Sequence, residues 1–84
     1  MMLRMFTVYD AKAESYIQPF FSPNAAMAVR LFQNACVDED HDFFRHAEDY
    51  SLWIVADFDQ ETGDVLPVEM SCIARAHELC EKNL

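Results

Sequence analysis

Residues 48–64 constrain the fold most, because a strand-forming run there leads directly into a turn that holds the only glycine of the chain. Residues 51–58 are rich in β-branched and aromatic side chains, a composition that predicts a β-strand. Residues 59–64 predict a hairpin turn, since Gly63 suits a backbone position with positive φ. The other segments are therefore expected to pack on this strand or to follow this hairpin.

Both faces of the predicted strand are apolar. Side chains alternate along a strand, which places Leu52, Ile54, Ala56 and Phe58 on one face. The other face then carries Trp53, Val55 and Asp57. The strand predicted over residues 2–9 also has two largely apolar faces, which suggests a central strand or a sheet that is covered on both sides.

Two further strands are predicted. Residues 2–9 form the first, and residues 65–70 form the third, where Pro67 indicates an edge position because proline has no amide donor. The long connection over residues 10–22 is rich in apolar side chains. Within it, residues 16–21 predict a short extended segment along the sheet edge.

Two helices are predicted from apolar residues spaced three and four apart. The first starts at Ser22, a preferred N-cap residue, and ends near Val37, where acidic residues follow that do not suit a helix C-terminus. The second covers residues 72–83, with Ser71 as its cap and Lys82 in its last turn. A short helical turn over residues 43–46 is also expected.

The element order β-α-β-β-α predicts a single α+β domain over residues 1–84, with a three-stranded, mainly antiparallel sheet and two helices on one face. The opposite face then needs a cover, and a second copy of the chain is the simplest one. We therefore predict a homodimer whose partner surface contains Phe6, Val8, Trp53 and Val55.

The net charge of −9, from 15 acidic and 6 basic residues, argues against sequence-independent binding of DNA or RNA. Three explanations of the acidity remain open: solubility, a basic protein partner, and mimicry of nucleic-acid charge. Direct binding of single-stranded DNA is the alternative, with aromatic side chains stacking on bases. In that case the contacts would come from Arg4, Lys12, Tyr16 and Arg30.

The residues do not predict an active site, a cofactor or a metal centre, so we expect a protein that is not an enzyme. Cys36, Cys72 and Cys80 form no C-x-x-C pair and are expected to be reduced thiols. The acidic, histidine-containing segment over residues 38–49 and the carboxylates over residues 57–64 have no spacing that defines a metal site. No apolar run has the length of a membrane span.

The order and spacing of four segments resemble the small nonstructural protein of gokushovirus-type microviruses, which are single-stranded DNA phages that include those of chlamydia. The segments are Tyr9-Asp10-Ala11-Lys12-Ala13-Glu14-Ser15-Tyr16-Ile17-Gln18-Pro19-Phe20, Ala28-Val29-Arg30-Leu31-Phe32, Glu48-Asp49-Tyr50-Ser51-Leu52 and Phe58-Asp59-Gln60-Glu61-Thr62-Gly63. The chain departs from the family pattern at Ala47, where proline is usual, and at Ala56, where glycine is common.

The resemblance implies a nonstructural phage protein of the host cytoplasm that is absent from the virion. It implies a role in viral DNA replication, at the switch from double-stranded to single-stranded synthesis, in contact with a host or phage replication protein. It supplies no catalytic residues. A scaffold-like role in assembly is a further alternative.

Overall fold

The computed structural model of the chain describes residues 1–81. Helices and one antiparallel sheet are combined, which confirms the predicted α+β class, but the sheet has five strands rather than three. The strands are β1 (Met2–Asp10), β2 (Ser15–Tyr16), β3 (Phe20–Ser22), β4 (Tyr50–Asp59) and β5 (Val65–Arg75). The helices are α1 (Ala25–Cys36), α2 (Asp42–Arg45) and α3 (Ala76–Glu81), with a 3₁₀ turn over Ala47–Asp49.

The two additional strands arise within the connection between β1 and α1. β2 pairs with the end of β1, where Tyr16 faces Tyr9, and β3 pairs with its first half, where Phe20 faces Phe6. Both lie on the same edge of β1, and Pro19 between them cannot donate to the ladder. The predicted extended segment at the sheet edge is therefore confirmed, although it forms two strands.

The core lies between one face of the sheet and the helices α1 and α3. The sheet supplies Phe6 and Val8 from β1 and Leu52 and Ile54 from β4, all at most 7% exposed. The facing helical residues are Ala28, Phe32, Cys36, Ala76 and Leu79. The small Ala28 lets α1 approach the sheet closely, and the predicted placement of helices on one face agrees with this arrangement.

A bulge at Val55 exchanges the two faces of β4. Phe6 pairs with Ile54, but the next residue back along β1, Met5, pairs with Ala56, so Val55 has no partner on β1. Because Met5 points away from the core, Ala56 and everything after it change sides. The prediction that Leu52, Ile54, Ala56 and Phe58 share one face is therefore wrong beyond Ile54.

Helix α1 is capped by Asn24 rather than by Ser22. The Asn24 Oδ1 accepts a hydrogen bond from the Met27 N–H at 2.9 Å, and the Asn24 backbone is extended. Ser22 instead ends β3, and its buried hydroxyl donates to the Asn24 carbonyl at 3.1 Å. The end of the helix at Cys36 agrees with the prediction, as does the short helix α2.

The hairpin between β4 and β5 forms where it was predicted. Gly63 has a φ of +80°, and its N–H donates to the Asp59 carbonyl at 2.7 Å. The Asp59 N–H in turn donates to the Asp64 carbonyl at 2.9 Å. β5 pairs with β4 and lies at the edge of the described sheet, as Pro67 indicated.

Strand β5 is longer than predicted, and helix α3 is correspondingly shorter. Cys72 pairs with Trp53 and Ala74 pairs with Leu52, so the segment that was assigned to the start of a helix continues the sheet. The helix begins only at Ala76. Pairing with β5 satisfies the backbone N–H and C=O groups of β4 there. This gain outweighs the weak helix propensity of the segment. The predicted helical position of Lys82 lies outside the described residues.

Candidate interaction surface

The sheet face opposite the helices is the main candidate surface, and the register defines it. Alternation along β1 turns Leu3 and Met5 away from the core, and their partners on β4 are Phe58 and Ala56. Phe21 of β3 pairs with Met5 and joins the same face. We call this surface the open face. Ala56 is buried but does not belong to the core cluster, which agrees with its place there.

Aromatic side chains mark both ends of the open face. At one end the rings of Phe21 and Phe58 are 5.5 Å apart, and Phe21 is 46% exposed. At the other end the rings of Tyr9 and Tyr16 are 4.8 Å apart, and Tyr16 is 50% exposed. Trp53 lies between them in register with Thr7. The open face is therefore an apolar strip along the sheet, an exposure that typically marks an interaction site.

The open face carries no carboxylate among the strand residues that the register of residues 1–81 places on it. Asp57 of β4 pairs with Arg4 on the other face, where Arg4 Nε and Asp57 Oδ1 are 3.2 Å apart. Arg75, opposite Ser51, is the one charged residue on the open face in these pairs. Two carboxylates lie at the margin of the open face: the exposed Glu69, two positions after Pro67 in β5, and Glu78 of α3, whose Oε1 is 3.8 Å from Arg75 Nε.

The predicted partner surface is only partly found here. Phe6 and Val8 are 0% and 1% exposed and lie in the core beneath the helices, so they must be removed from that surface. Trp53 lies on the open face and is half-buried, and Val55 is the bulge residue. The prediction exchanged the two faces of β1. Both faces are apolar, so only the pairing of the strands shows which face is buried.

The residues predicted to contact nucleic acid do not converge. Arg4 is occupied by Asp57, and Arg30 is exposed on α1, in the helical layer. Lys12 lies in the turn after β1, near Tyr16. Arg4 and Lys12 are eight positions apart across a strand that rises about 3.3 Å per residue, so they are roughly 20 Å apart or more. A continuous basic groove does not form from these residues.

In the acidic segments, the side chains of Asp38, His41 and Asp59 accept hydrogen bonds from backbone N–H groups. Asp59 accepts from the N–H groups of Glu61 and Thr62, and the Glu61 N–H above all lowers the pKa of Asp59. His41 Nδ1 accepts from the Phe43 N–H and so caps α2. Among residues 1–81, no three histidine, cysteine or acidic side chains are grouped in a way that could hold a metal ion.

Cys36 is a core thiol. It is 0% exposed, and burial raises its pKa from 9.0 to about 12, with nearby Cys80 adding to the shift. The Cys80 Sγ donates to the Cys36 carbonyl at 2.7 Å, which ties α3 to the end of α1. A thiol in this environment is a poor nucleophile. Cys36, Cys72 and Cys80 are free thiols in this structure.

A second concave surface lies on the helical side, between α1 and the β2–β3 edge. Its volume is about 390 Å³, and its lining is mostly apolar. The sequence does not predict that Ile17 and Leu31 line one surface, because they belong to different elements that only the fold brings together. Among residues 1–81, no helix combines the length and the apolar character needed to cross a membrane.

Comparison with known proteins gives one result. A family model described as "Phage ORF5 protein" matches residues 3–79, which covers β1 from its second residue, all the other strands and the first part of α3. No curated protein and no solved structure matches the chain.

Proposed function

Because this chain belongs to the Phage ORF5 protein family, we propose that it is a non-enzymatic, nonstructural phage protein that regulates viral DNA replication through protein contacts. The step that it regulates is the switch from double-stranded to single-stranded synthesis in a phage of the gokushovirus type. The protein acts as a homodimer in the host cytoplasm and is not part of the virion. Its partner is a host or phage replication protein.

The observation that carries this proposal is the open face. A sheet that is covered by helices on one side leaves an apolar strip on the other, with Phe21 and Tyr16 about half exposed. Apolar strips of this kind serve association rather than catalysis. A nucleophile and base could be sought in Cys36 with His41 or His46, but the Cys36 thiol is buried with a raised pKa and His41 Nδ1 accepts the Phe43 N–H, which supports a role of both side chains in the fold.

The dimensions of the open face suit a modest dimer interface. β1 has 9 residues, and the sheet is four strands wide when β2 and β3 share one edge. At about 3.3 Å per residue and about 4.8 Å per strand, the face covers roughly 30 Å by 19 Å, or about 570 Å². Two copies would bury about 1,100 Å² in total, just below the range of about 1,200–2,000 Å² for stable complexes, which is the size of a weak dimer interface.

The charge distribution also favours a second copy on this face. Two chains of net charge −9 repel each other over most of their surfaces. The open face lowers this cost, because its paired residues carry no carboxylate and acidic side chains occur only at its margin, at Glu69 and Glu78. The acidic surfaces then remain outside the dimer, where they are available to a basic partner.

Sedimentation velocity tests the dimer with one variant and one matched control. Phe21→Ser removes an exposed ring from the open face, whereas Phe44→Ser removes an equally exposed ring, 40% against 46%, from α2. We expect Phe21→Ser to weaken dimerisation at least tenfold, or by about 1.4 kcal/mol, and Phe44→Ser to leave it unchanged. A wild-type chain that stays monomeric at about 100 µM, or equal effects of both variants, would contradict the proposed interface.

The replication role needs a measurement in infected cells. We expect phage carrying Phe21→Ser to shift the ratio of double-stranded to single-stranded viral DNA, and phage carrying Phe44→Ser to keep the wild-type ratio. A pull-down of the tagged protein should recover a replication protein of the host or the phage. Unchanged ratios for both variants, with no replication protein recovered, would count against the role.

Direct binding of single-stranded DNA is a second candidate, favoured by the aromatic strip of the open face. Tyr9, Tyr16 and Trp53 present rings on which bases could stack, and Lys12 lies next to this end of the face. Fluorescence anisotropy with a labelled oligonucleotide at low salt decides the matter. Binding that Tyr16→Ser weakens would support this candidate, whereas no binding would eliminate it.

A further inference from the structure

The concave surface on the helical side has an apolar floor and an exposed apolar wall. Phe20, Phe32 and Phe43 contribute to its lining, together with Leu31 of α1 and Ile17 of the segment between β2 and β3. Leu31 is 55% exposed and Ile17 is 40% exposed. We call this surface the α1 groove. Its volume of about 390 Å³ accommodates several large apolar side chains.

Negative charge concentrates at one end of the α1 groove. Ala35 and His41 both line the groove, and the chain between them holds Asp38, Glu39 and Asp40, all exposed. Helix α1 ends at Cys36, directly before these carboxylates, and has no basic residue in its last turn, so the negative end of its dipole adds to the negative potential.

This charge is almost uncompensated within the protein. Of the carboxylates from Asp38 to Asp42, only Asp42 has an ion pair within residues 1–81, with Arg45 at 2.9 Å. The Asp38 carboxylate is engaged by the Asp40 N–H, which fixes the turn without neutralising the charge. A ligand that fits this region should therefore bring apolar side chains together with positive charge.

We propose that the α1 groove binds a basic amphipathic helix of a partner protein, with the apolar side chains of that helix against Leu31 and Ile17 and its Lys or Arg residues against Asp38–Asp40. Grooves of this kind accept helices that present apolar residues at positions i, i+3 or i+4, and i+7. A second copy of this chain is not the occupant, because its net charge of −9 would repel the acidic end. This inference depends on the proposed function, in that it names the chemistry of the protein partner.

A synthetic peptide series provides the test, with fluorescence anisotropy as the readout. The probe is a labelled helical peptide with leucines at i, i+3, i+4 and i+7 and lysines at the solvent positions. One control replaces the lysines with glutamates, and another keeps the composition but scrambles the order. We expect binding of the first peptide only, weakening about tenfold as salt rises from about 50 mM to about 500 mM. Equal binding of the scrambled peptide would overturn the proposal.

Protein variants locate the site on the groove. Leu31→Ser should weaken binding about tenfold, because it removes an exposed apolar wall, while Met27→Ser, 50% exposed on the same helix but outside the groove lining, should have no effect. Both positions are exposed, so both variants should fold. Equal effects of the two variants would show that the peptide binds elsewhere and would refute the groove.

Charge variants separate the acidic end from the general acidity of the protein. Glu39→Gln with Asp40→Asn removes two charges at the groove, and Glu61→Gln with Asp64→Asn removes two exposed charges at the hairpin. We expect the first pair to weaken binding at least threefold more than the second. Equal weakening by both pairs would show that only net charge matters.

The two proposals fail in different ways. Phe21→Ser should disrupt the dimer and leave the peptide affinity unchanged, since Phe21 is not in the groove lining. A dimer that forms normally without any peptide binding would overturn the groove and leave the proposed interface standing. Peptide binding that depends on Leu31, in a chain that never dimerises, would support the groove and overturn the proposed dimer interface.

Discussion

Alkylation of Cys36 offers a sharp quantitative test of the packing between α1 and α3. The reactive species is the thiolate, and burial raises the pKa of Cys36 from 9.0 to about 12. At about pH 8, the thiolate fraction therefore falls from about one in ten in the unfolded chain to about one in ten thousand in the native protein. We expect iodoacetamide to modify Cys36 at least about a thousandfold more slowly in the native protein than in urea.

The measurement uses peptide mass spectrometry on samples quenched over time, with Cys72, half-buried in β5, as the internal comparison. Circular dichroism on the same samples shows that the chain is folded. Because burial is the larger cause of the shift and Cys80 the smaller one, Cys80→Ala should leave Cys36 protected by at least about a hundredfold. Native protection of Cys36 below about tenfold would refute the argument that this thiol is sealed in the core.

The same pKa predicts how stability changes in alkali. The folded-state pKa of Cys36 lies above its unfolded value, so the neutral buried thiol contributes its full stability below pH 9. This contribution is lost as the pH rises from 9.0 toward about 12, because the unfolded chain gains a thiolate that the folded core resists. Urea midpoints should fall over that window, and Cys36→Val should flatten the fall. An unchanged slope in the variant would assign the pH dependence to other groups.

Three further stability predictions concern local bonds, each measured by urea unfolding. Thr7→Val should lower the free energy of unfolding by about 1 kcal/mol, because the buried hydroxyl donates to the Ile17 carbonyl at 2.7 Å; no change would mean that this bond does not hold the edge segment. Asn24→Ala should lower the free energy of unfolding by about 1 kcal/mol, because the α1 cap is lost, and Asn24→Ser should retain most of the stability. An alanine variant as stable as the wild type would contradict the cap. Gly63→Ala should cost about 1 kcal/mol at a φ of +80°, whereas Glu14→Gly, at a φ of +55°, should not destabilise the chain; the opposite order would argue against both backbone conformations.

Much of the local structure could be predicted from residue types. β1, the hairpin at Gly63 and the end of α1 near Val37 all follow from short-range preferences: strand formers, a glycine at positive φ, and acidic residues after a helix. The edge position of β5 followed from Pro67 in the same way. The start of α1 was misplaced by a few residues because Ser22 and Asn24 are both good caps, and the local pattern does not choose between them.

The candidate surfaces were less predictable. The need for an apolar sheet face to be covered follows from the two-sided hydrophobicity of β4, and the prediction that Trp53 lies on that face agrees with the register. Phe6 and Val8 were assigned to the wrong face, and Leu3, Met5 and Phe21 were missed. The α1 groove combines Ile17 and Leu31, which only the pairing of the β2–β3 segment with β1 brings together.

The sequence by itself determined the fold class, the main hairpin and the strong excess of negative charge, because these depend on single residues and their near neighbours. The tertiary structure decided which apolar face is buried and which is open. The bulge at Val55 moves Ala56 and Phe58 to the open face, and pairing with β4 keeps Cys72 in a strand rather than a helix. Both outcomes depend on backbone hydrogen bonds between distant segments, and the free energy of those bonds is not encoded in any local pattern.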